Sequence, residues 1–143
     1  MQCTDVMKTD VECLLLGHTA QVAAQRMRLM NVGFLPVCDD SMRVLGTITD
    51  RDLALRLVAL DLPASSTTVD ELLTPGAVAC HPEDEIGDAA RLMAEHRKSR
   101  ILCVDDEGVL VGVISLSDIA QVEDGAAAAD TLRQVTDREV RPA

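Results

Sequence analysis

The sequence predicts an α/β (α+β) fold made of two tandem β-α-β-β-α repeats, and three observations predict it. Shifted by 66 residues so that Asp52 meets Asp118, the chain aligns Ala23-Ala24 with Ala89-Ala90, Met27 with Met93, Asp39-Asp40 with Asp105-Asp106, and Gly46 with Gly112, without a gap. Within each copy the apolar residues pass from a short run to helical spacing and back to two runs. The chain has 143 residues, 48% hydrophobic and 26% charged, a length that buries about 68–70% of the unfolded surface. Two copies of so long a period mark a duplicated supersecondary unit, since a solenoid needs three or more repeats to cover its faces.

The elements follow in order. A short apolar segment opens each copy, Cys13 to Leu16 and Ala77 to Cys80. Next come helical stripes, Ala20-Ala23-Ala24-Met27-Met30 and Ile86-Ala89-Ala90-Met93. Two β-branched and aliphatic runs follow, "FLPVC" with "RVLGTIT" and "RILCV" with "VLVGVIS". Asp-Asp turns between them predict hairpins, because aspartate bonds its own backbone two residues on. A second helix is expected from Asp50 and from Leu116, with Leu53, Leu57 and Leu60 as its apolar face in the first copy. The boundaries read as repeat 1 over 1–62, a linker over 63–70, repeat 2 over 71–123 and a tail over 124–143. Pro63 and the Ser/Thr cluster define the linker. The alanine-rich tail has helical propensity and a Leu132/Val135 stripe; docking and fraying both stay open.

Composition excludes several classes of function. A formal net charge of −11 repels phosphate backbones and anionic bilayers, so neither nucleic acid nor membrane is an expected partner. The interior must be aliphatic, since Phe34 is the sole aromatic residue. Cys3, Cys13, Cys38, Cys80 and Cys103 are odd in number, widely spaced and without a Cys-x-x-Cys pair. Free thiols in a reducing, cytoplasmic setting are the expectation. Nothing at the N-terminus has the basic-then-apolar form of a signal peptide, and the run around Leu14 is too short to span a bilayer.

Two motifs carry the functional argument, Thr49-x-x-Asp52 and Ser115-x-x-Asp118. Either can be a capping box, in which the hydroxyl caps a helix and the acid reaches back to the cap N–H. Alternatively the helix start, with free N–H groups and its positive dipole end, attracts a phosphate while the aspartate accepts from a ribose diol. One side chain cannot fully serve both, so the two readings compete.

With the Ala-Ala-x-x-Met helix, the "LPV" strand, the acidic turn and the Gly-h-x-Thr/Ser-x-x-Asp motif (h apolar) recurring in order, residues 4–122 resemble a tandem pair of cystathionine-β-synthase (CBS) domains. The resemblance implies one pseudo-twofold module whose two inter-repeat clefts take adenosine-type ligands: AMP, ADP, ATP or S-adenosylmethionine. It implies that Asp52 and Asp118 contact ribose, and that Thr49 and Ser115 stand on the phosphate side. It further implies that Val32 and Gly33 face the ligand held by Ser115 and Asp118, while Val78 and Ser99 face the one held by Thr49 and Asp52. The chain departs from the pattern at Leu102, where Pro36 stands in repeat 1, and at Lys98, a position commonly apolar. Glu12 adds negative charge beside the one cleft, and Asp50 adds it at the helix start of the other, partly offset by Arg51, which favours a ligand of low charge over ATP.

Other residues have structural explanations. Cys80 and His81, adjacent on a strand, point to opposite faces and do not share a metal ion, which leaves a buried thiol beside a loop histidine. His18 and His96 lack sequence-adjacent ligand partners, Met27, Met30 and Met93 fill the core, and "EHRKSR" suits a solvated helix end. With no nucleophile and base, metal cluster or P-loop, no enzyme is expected and no cofactor is required. The expected function is a stand-alone regulatory sensor that binds an adenosyl ligand and signals to an effector protein, as a homodimer. The alternative is a ligand-free dimerisation or scaffold module whose hydroxyl-x-x-Asp motifs only cap helices.

Overall fold

The computed structural model describes residues 1–137. By its contacts the chain divides into two units, one spanning Glu12–Ala77 and the other joining Met1–Val11 to the chain from Val78 onward.

In the first unit, β1 (Leu14–Leu15) runs parallel to β2 (Phe34–Cys38), which pairs antiparallel with β3 (Val44–Thr49), and β4 (Thr74–Pro75) closes the far edge. Helix α1 (Ala20–Met30) connects β1 to β2, as a parallel crossover requires. The Thr19 hydroxyl caps its start by accepting from the Val22 N–H, and Asn31 ends it in the left-handed region. Its buried face is narrower than the alanine pattern predicts: Ala20, Ala23 and Met27 enter the core, Met30 is half-buried and Ala24 faces solvent.

Helix α2 (Asp50–Leu53) continues into a widened turn, Ala54–Val58, closed by a hydrogen bond from the Ala59 N–H to the Ala54 carbonyl. That i→i+5 spacing rotates the following residues out of phase with an ideal helix. Leu53 and Leu57 stay buried, but Leu60, expected on the same face, is 65% exposed. Segment 63–68 packs on α1, with the Ala20 N–H donating to the Thr67 carbonyl at 2.7 Å and Thr67 itself buried.

In the second unit, β5 (Ala79–Cys80) is parallel to β6 (Arg100–Val104), and β6 is antiparallel to β7 (Leu110–Ser115). Helices α3 (Ile86–His96), α4 (Leu116–Ala120) and α5 (Gly125–Thr136) complete it. The register repeats that of the first unit: Leu14 lies opposite Val37 and Cys80 opposite Cys103. Both acidic turns form as the sequence predicts. Asp39 accepts from the Ser41 and Arg43 amides, and Asp105 from the Glu107 and Val109 amides.

The duplication extends to the sheet edges. Thr74 pairs with Thr47 in the first unit, and Lys8 bridges Val113 at the equivalent edge of the second. Close approach of these edge segments explains the repeated glycine. A Cβ on Gly112 would sit 2.8 Å from the Met7 sulfur and 3.0 Å from the Lys8 carbonyl, and Gly46 is crowded still more closely by Leu73 and Thr74. The tail is docked, not frayed, over its described length: Asp124 caps α5 by accepting from the Ala127 N–H, and Val135 enters the core beside Met93, Ile101 and Ile119. Among the described residues no helix is long and apolar enough to cross a membrane.

Candidate functional site

Strand β3 delivers Thr49, and β7 delivers Ser115, to the first turn of a helix in extended backbone geometry, the conformation an N-cap needs. Both capping boxes close. The Thr49 hydroxyl accepts from the Asp52 N–H at 3.1 Å and the Thr49 N–H donates to Asp52 Oδ2 at 3.0 Å. The corresponding distances for Ser115 and Asp118 are 3.2 and 2.9 Å. Capping therefore engages one carboxylate oxygen of each aspartate.

The second oxygen in each case faces a cation at longer range. Asp52 Oδ1 is 3.9 Å from Arg56 Nε, and Asp118 Oδ1 is 3.7 Å from Lys8 Nζ. A carboxylate offers about four lone-pair sites, so the cap leaves acceptor capacity for another donor. The completed caps with a second oxygen outside them leave both readings of the motif open.

Backbone hydrogen bonds bring Val32, Gly33 and Ser99 to these helix starts within their own units, and tie Val78 to the strand β6. The Gly33 carbonyl accepts from the Asp50 N–H at 2.9 Å, which fixes Val32 and Gly33 beside Thr49. The Ser99 carbonyl accepts from the Leu116 N–H at 2.7 Å and so fixes Ser99 beside Ser115. Val78 is half-buried, its carbonyl accepting from the Leu102 N–H at 3.1 Å. Leu102, the departure from proline, is buried and paired with Ala79.

The two starts differ in charge. At the first, the Asp50 carboxylate lies over Gly33, where an added Cβ would be 2.6 Å from Asp50 Oδ2. At the second, uncharged Leu116 replaces it, and Ser117 shares a 2.8 Å hydrogen bond with Ser115. A cavity of about 500 Å³ opens here, lined by Ser99, Ser115, Leu116, Ile119, Ala129 and Leu132 among others. That volume lies in the range of small-molecule pockets, about 300–1,000 Å³. Sequence reasoning missed the α5 wall of this cavity, and the small side chains of the alanine run were the available signal. Glu123 also borders it, accepting from the Thr131 hydroxyl at 3.2 Å.

Among the described residues no group of three or more His, Cys, Asp or Glu is arranged to hold a metal ion. Cys80 and Cys103 lie 3.3 Å apart in the core, and His81 is exposed. His18 accepts from the Leu15 N–H through Nδ1 at 2.9 Å. Burial first, then the Cys80 thiol, pushes Cys3 up to about 12.

This architecture is shared with characterised chains. The CBS domain model matches residues 3–59 and again 69–125. The CBS domain-containing protein YhcV of Bacillus subtilis is 37% identical over 81% of this chain and 81% of its own. Hypoxic response protein 1 of Mycobacterium tuberculosis is 32% identical over 82% of this chain and 81% of its own. The crystal structure of Hypoxic Response Protein I, described with two coordinated zinc ions, superposes with a TM-score of 0.78 at 30% identity, over 86% of this chain and 99% of that one. Two more distant structures share the fold. The CBS domain pair of protein MJ0100, in complex with 5′-methylthioadenosine and S-adenosyl-L-methionine, has a TM-score of 0.75 at 22% identity, covering 85% and 94% of the two chains. CBSX2 in complex with AMP has 0.72 at 23%, covering 84% and 93%. Enzymes also match, but in part: the chain spans 23% of a homoserine O-acetyltransferase of Methanohalophilus mahii. With the motif, the register and the edge pairing all doubled at one spacing, the chain belongs to the CBS domain family, as a tandem pair.

Proposed function

We propose that this chain is a regulatory module that binds an adenosine-type ligand and passes its bound state to an effector protein. One observation carries the reading: each capping aspartate keeps a second oxygen outside its cap, and beside Ser115 there is a cavity of ligand size. In this reading Asp52 and Asp118 accept from the ribose diol, and Thr49 and Ser115 stand on the phosphate side. Val32, Gly33, Val78 and Ser99 supply apolar and backbone contacts to the base. The ligands bound by MJ0100 and CBSX2 support this class of ligand. The carboxylate of Asp50 over Gly33 disfavours a polyphosphate at the Thr49 end, so AMP and S-adenosylmethionine rank above ATP there.

Exposed Leu29, Leu55, Val58 and Leu60 on α1 and beyond α2 supply an apolar face for a homodimer. The free thiols suit a cytoplasmic setting.

The completed caps favour one other reading, a scaffold module in which both motifs only cap. Asp52→Asn and Asp118→Asn separate the two. Asparagine keeps a carbonyl oxygen for the cap N–H and turns the second acceptor into a donor. We expect thermal stability to hold while calorimetric binding of AMP or S-adenosylmethionine falls by about 1.5–3 kcal/mol per site, the range for a charge-assisted hydrogen bond. Wild-type protein that binds none of AMP, ADP, ATP and S-adenosylmethionine would establish the scaffold reading instead.

A further inference from the structure

We propose that Cys80 and Cys103 are an oxidation site, two buried thiols placed to join as an intramolecular disulfide that staples β5 to β6. Their sulfurs lie 3.3 Å apart and share a hydrogen bond. The contact follows from register: the two residues are direct partners in the parallel pair of β5 and β6, so their side chains leave the sheet on one face. Adjacent strands run about 4.8 Å apart, inside the roughly 4.4–6.8 Å between Cα atoms that a disulfide spans. Closing the bond asks the two sulfurs to approach by about 1.3 Å, with no change of strand pairing.

The first unit shows what the fold itself requires at this place. At the 66-residue spacing Cys80 and Cys103 correspond to Leu14 and Val37, which are direct partners in the pair of β1 and β2 and fully buried. Aliphatic side chains thus fill the position in the core, whereas the second unit puts a thiol at both partnered sites. Access is through β5. Cys103 is enclosed on the central strand, but Cys80 belongs to a two-residue strand at the sheet's edge, in a stretch flanked by exposed Ala77 and His81. Opening of such an edge costs far less than unfolding the unit, and it bares the Cys80 thiol to a small oxidant of the peroxide class. With the strand closed, burial keeps the pair inert. The Cys80 thiol takes one oxygen from hydrogen peroxide, giving a sulfenic acid and one water. The Cys103 thiol then attacks that sulfur; the S–S bond forms, and the hydroxyl leaves with the thiol proton as a second water. Two thiols lose two electrons in all, and the peroxide is reduced to two waters.

The test is treatment of the folded full chain with hydrogen peroxide, alkylation of the remaining thiols, and tryptic peptide mapping without reduction. The Cys80 peptide should be recovered joined to the Cys103 peptide, and dithiothreitol should separate them. The urea midpoint of the linked protein should rise above that of the reduced one, since a bond across 23 positions restricts the unfolded chain. Cys103→Val, which installs the side chain that the first unit carries at this place, should fold and show neither the linked peptides nor the shift. Absence of the linked pair from the folded protein would overturn the proposal. So would linkage of Cys80 to any other cysteine, linkage formed only after unfolding in urea, or a midpoint that falls when the bond forms.

Discussion

Cys3, Cys38 and Cys80 hold their protons far more tightly in the folded chain than a free thiol does. Burial leads for Cys3 and Cys38, each pushed from 9.0 to about 12, while the hydrogen bond to Cys103 leads in raising Cys80. A group that binds its proton more tightly when folded stabilises the fold fully below its unfolded value. That contribution is lost as pH rises from 9.0 toward about 12. The window is uncluttered, because the chain has no tyrosine and only Lys8 and Lys98 as lysines. Denaturant midpoints measured across it should fall steadily, and Cys38→Ala should flatten the fall; a level profile in the wild type would show that these thiols are not buried. Residues of this kind were only partly legible. The odd cysteine count pointed to free thiols, but which of them meet depends on strand register, which no local pattern encodes.

Elements were most legible where their chemistry is local. Caps, acidic turns and the hairpins formed as written, because each is specified within about four residues. The phase of α2 was not, since an i→i+5 turn breaks the periodicity that puts Leu60 on the core face. Helix α5 shows the same limit from the other side. Its stripe was visible, yet only packing decides that Val135 is 2% exposed while Leu132 is half-exposed beside the cavity. The two residues should therefore separate in a mutational test. Val135→Ala removes two buried methyl groups and leaves a gap against α3, costing about 1–3 kcal/mol. Leu132→Ala should change stability by less than about 0.5 kcal/mol, as measured by urea denaturation. Equal costs would mean that α5 docks through a different face.

At the scale of the whole chain, the duplication was readable from spacing alone, but the assignment of edges was not. Met1–Val11 belongs to the unit that begins at Val78, because Lys8 pairs with Val113, and sequence proximity gives no hint of that partner. The doubled glycine was the one trace of it, recording where an edge segment presses on the sheet. Two opposed terms set whether the proposed homodimer forms. Exposed Leu29, Leu55 and Val58 favour burying an apolar face against a second copy. A net charge of −11 on each copy opposes it. Apolar burial is insensitive to modest salt, whereas charge repulsion is screened over a Debye length that shrinks from about 30 Å at about 0.01 M to about 8 Å at about 0.15 M. Dimerisation should therefore strengthen with added salt over this range, opposite to the behaviour of an interface built from ion pairs. Sedimentation equilibrium at the two salt concentrations should show the monomer fraction falling as salt rises, and Val58→Glu should restore the monomer at both. A chain that stays monomeric at the higher salt, or one whose dimer weakens as salt is added, would show that this face is not where two copies meet.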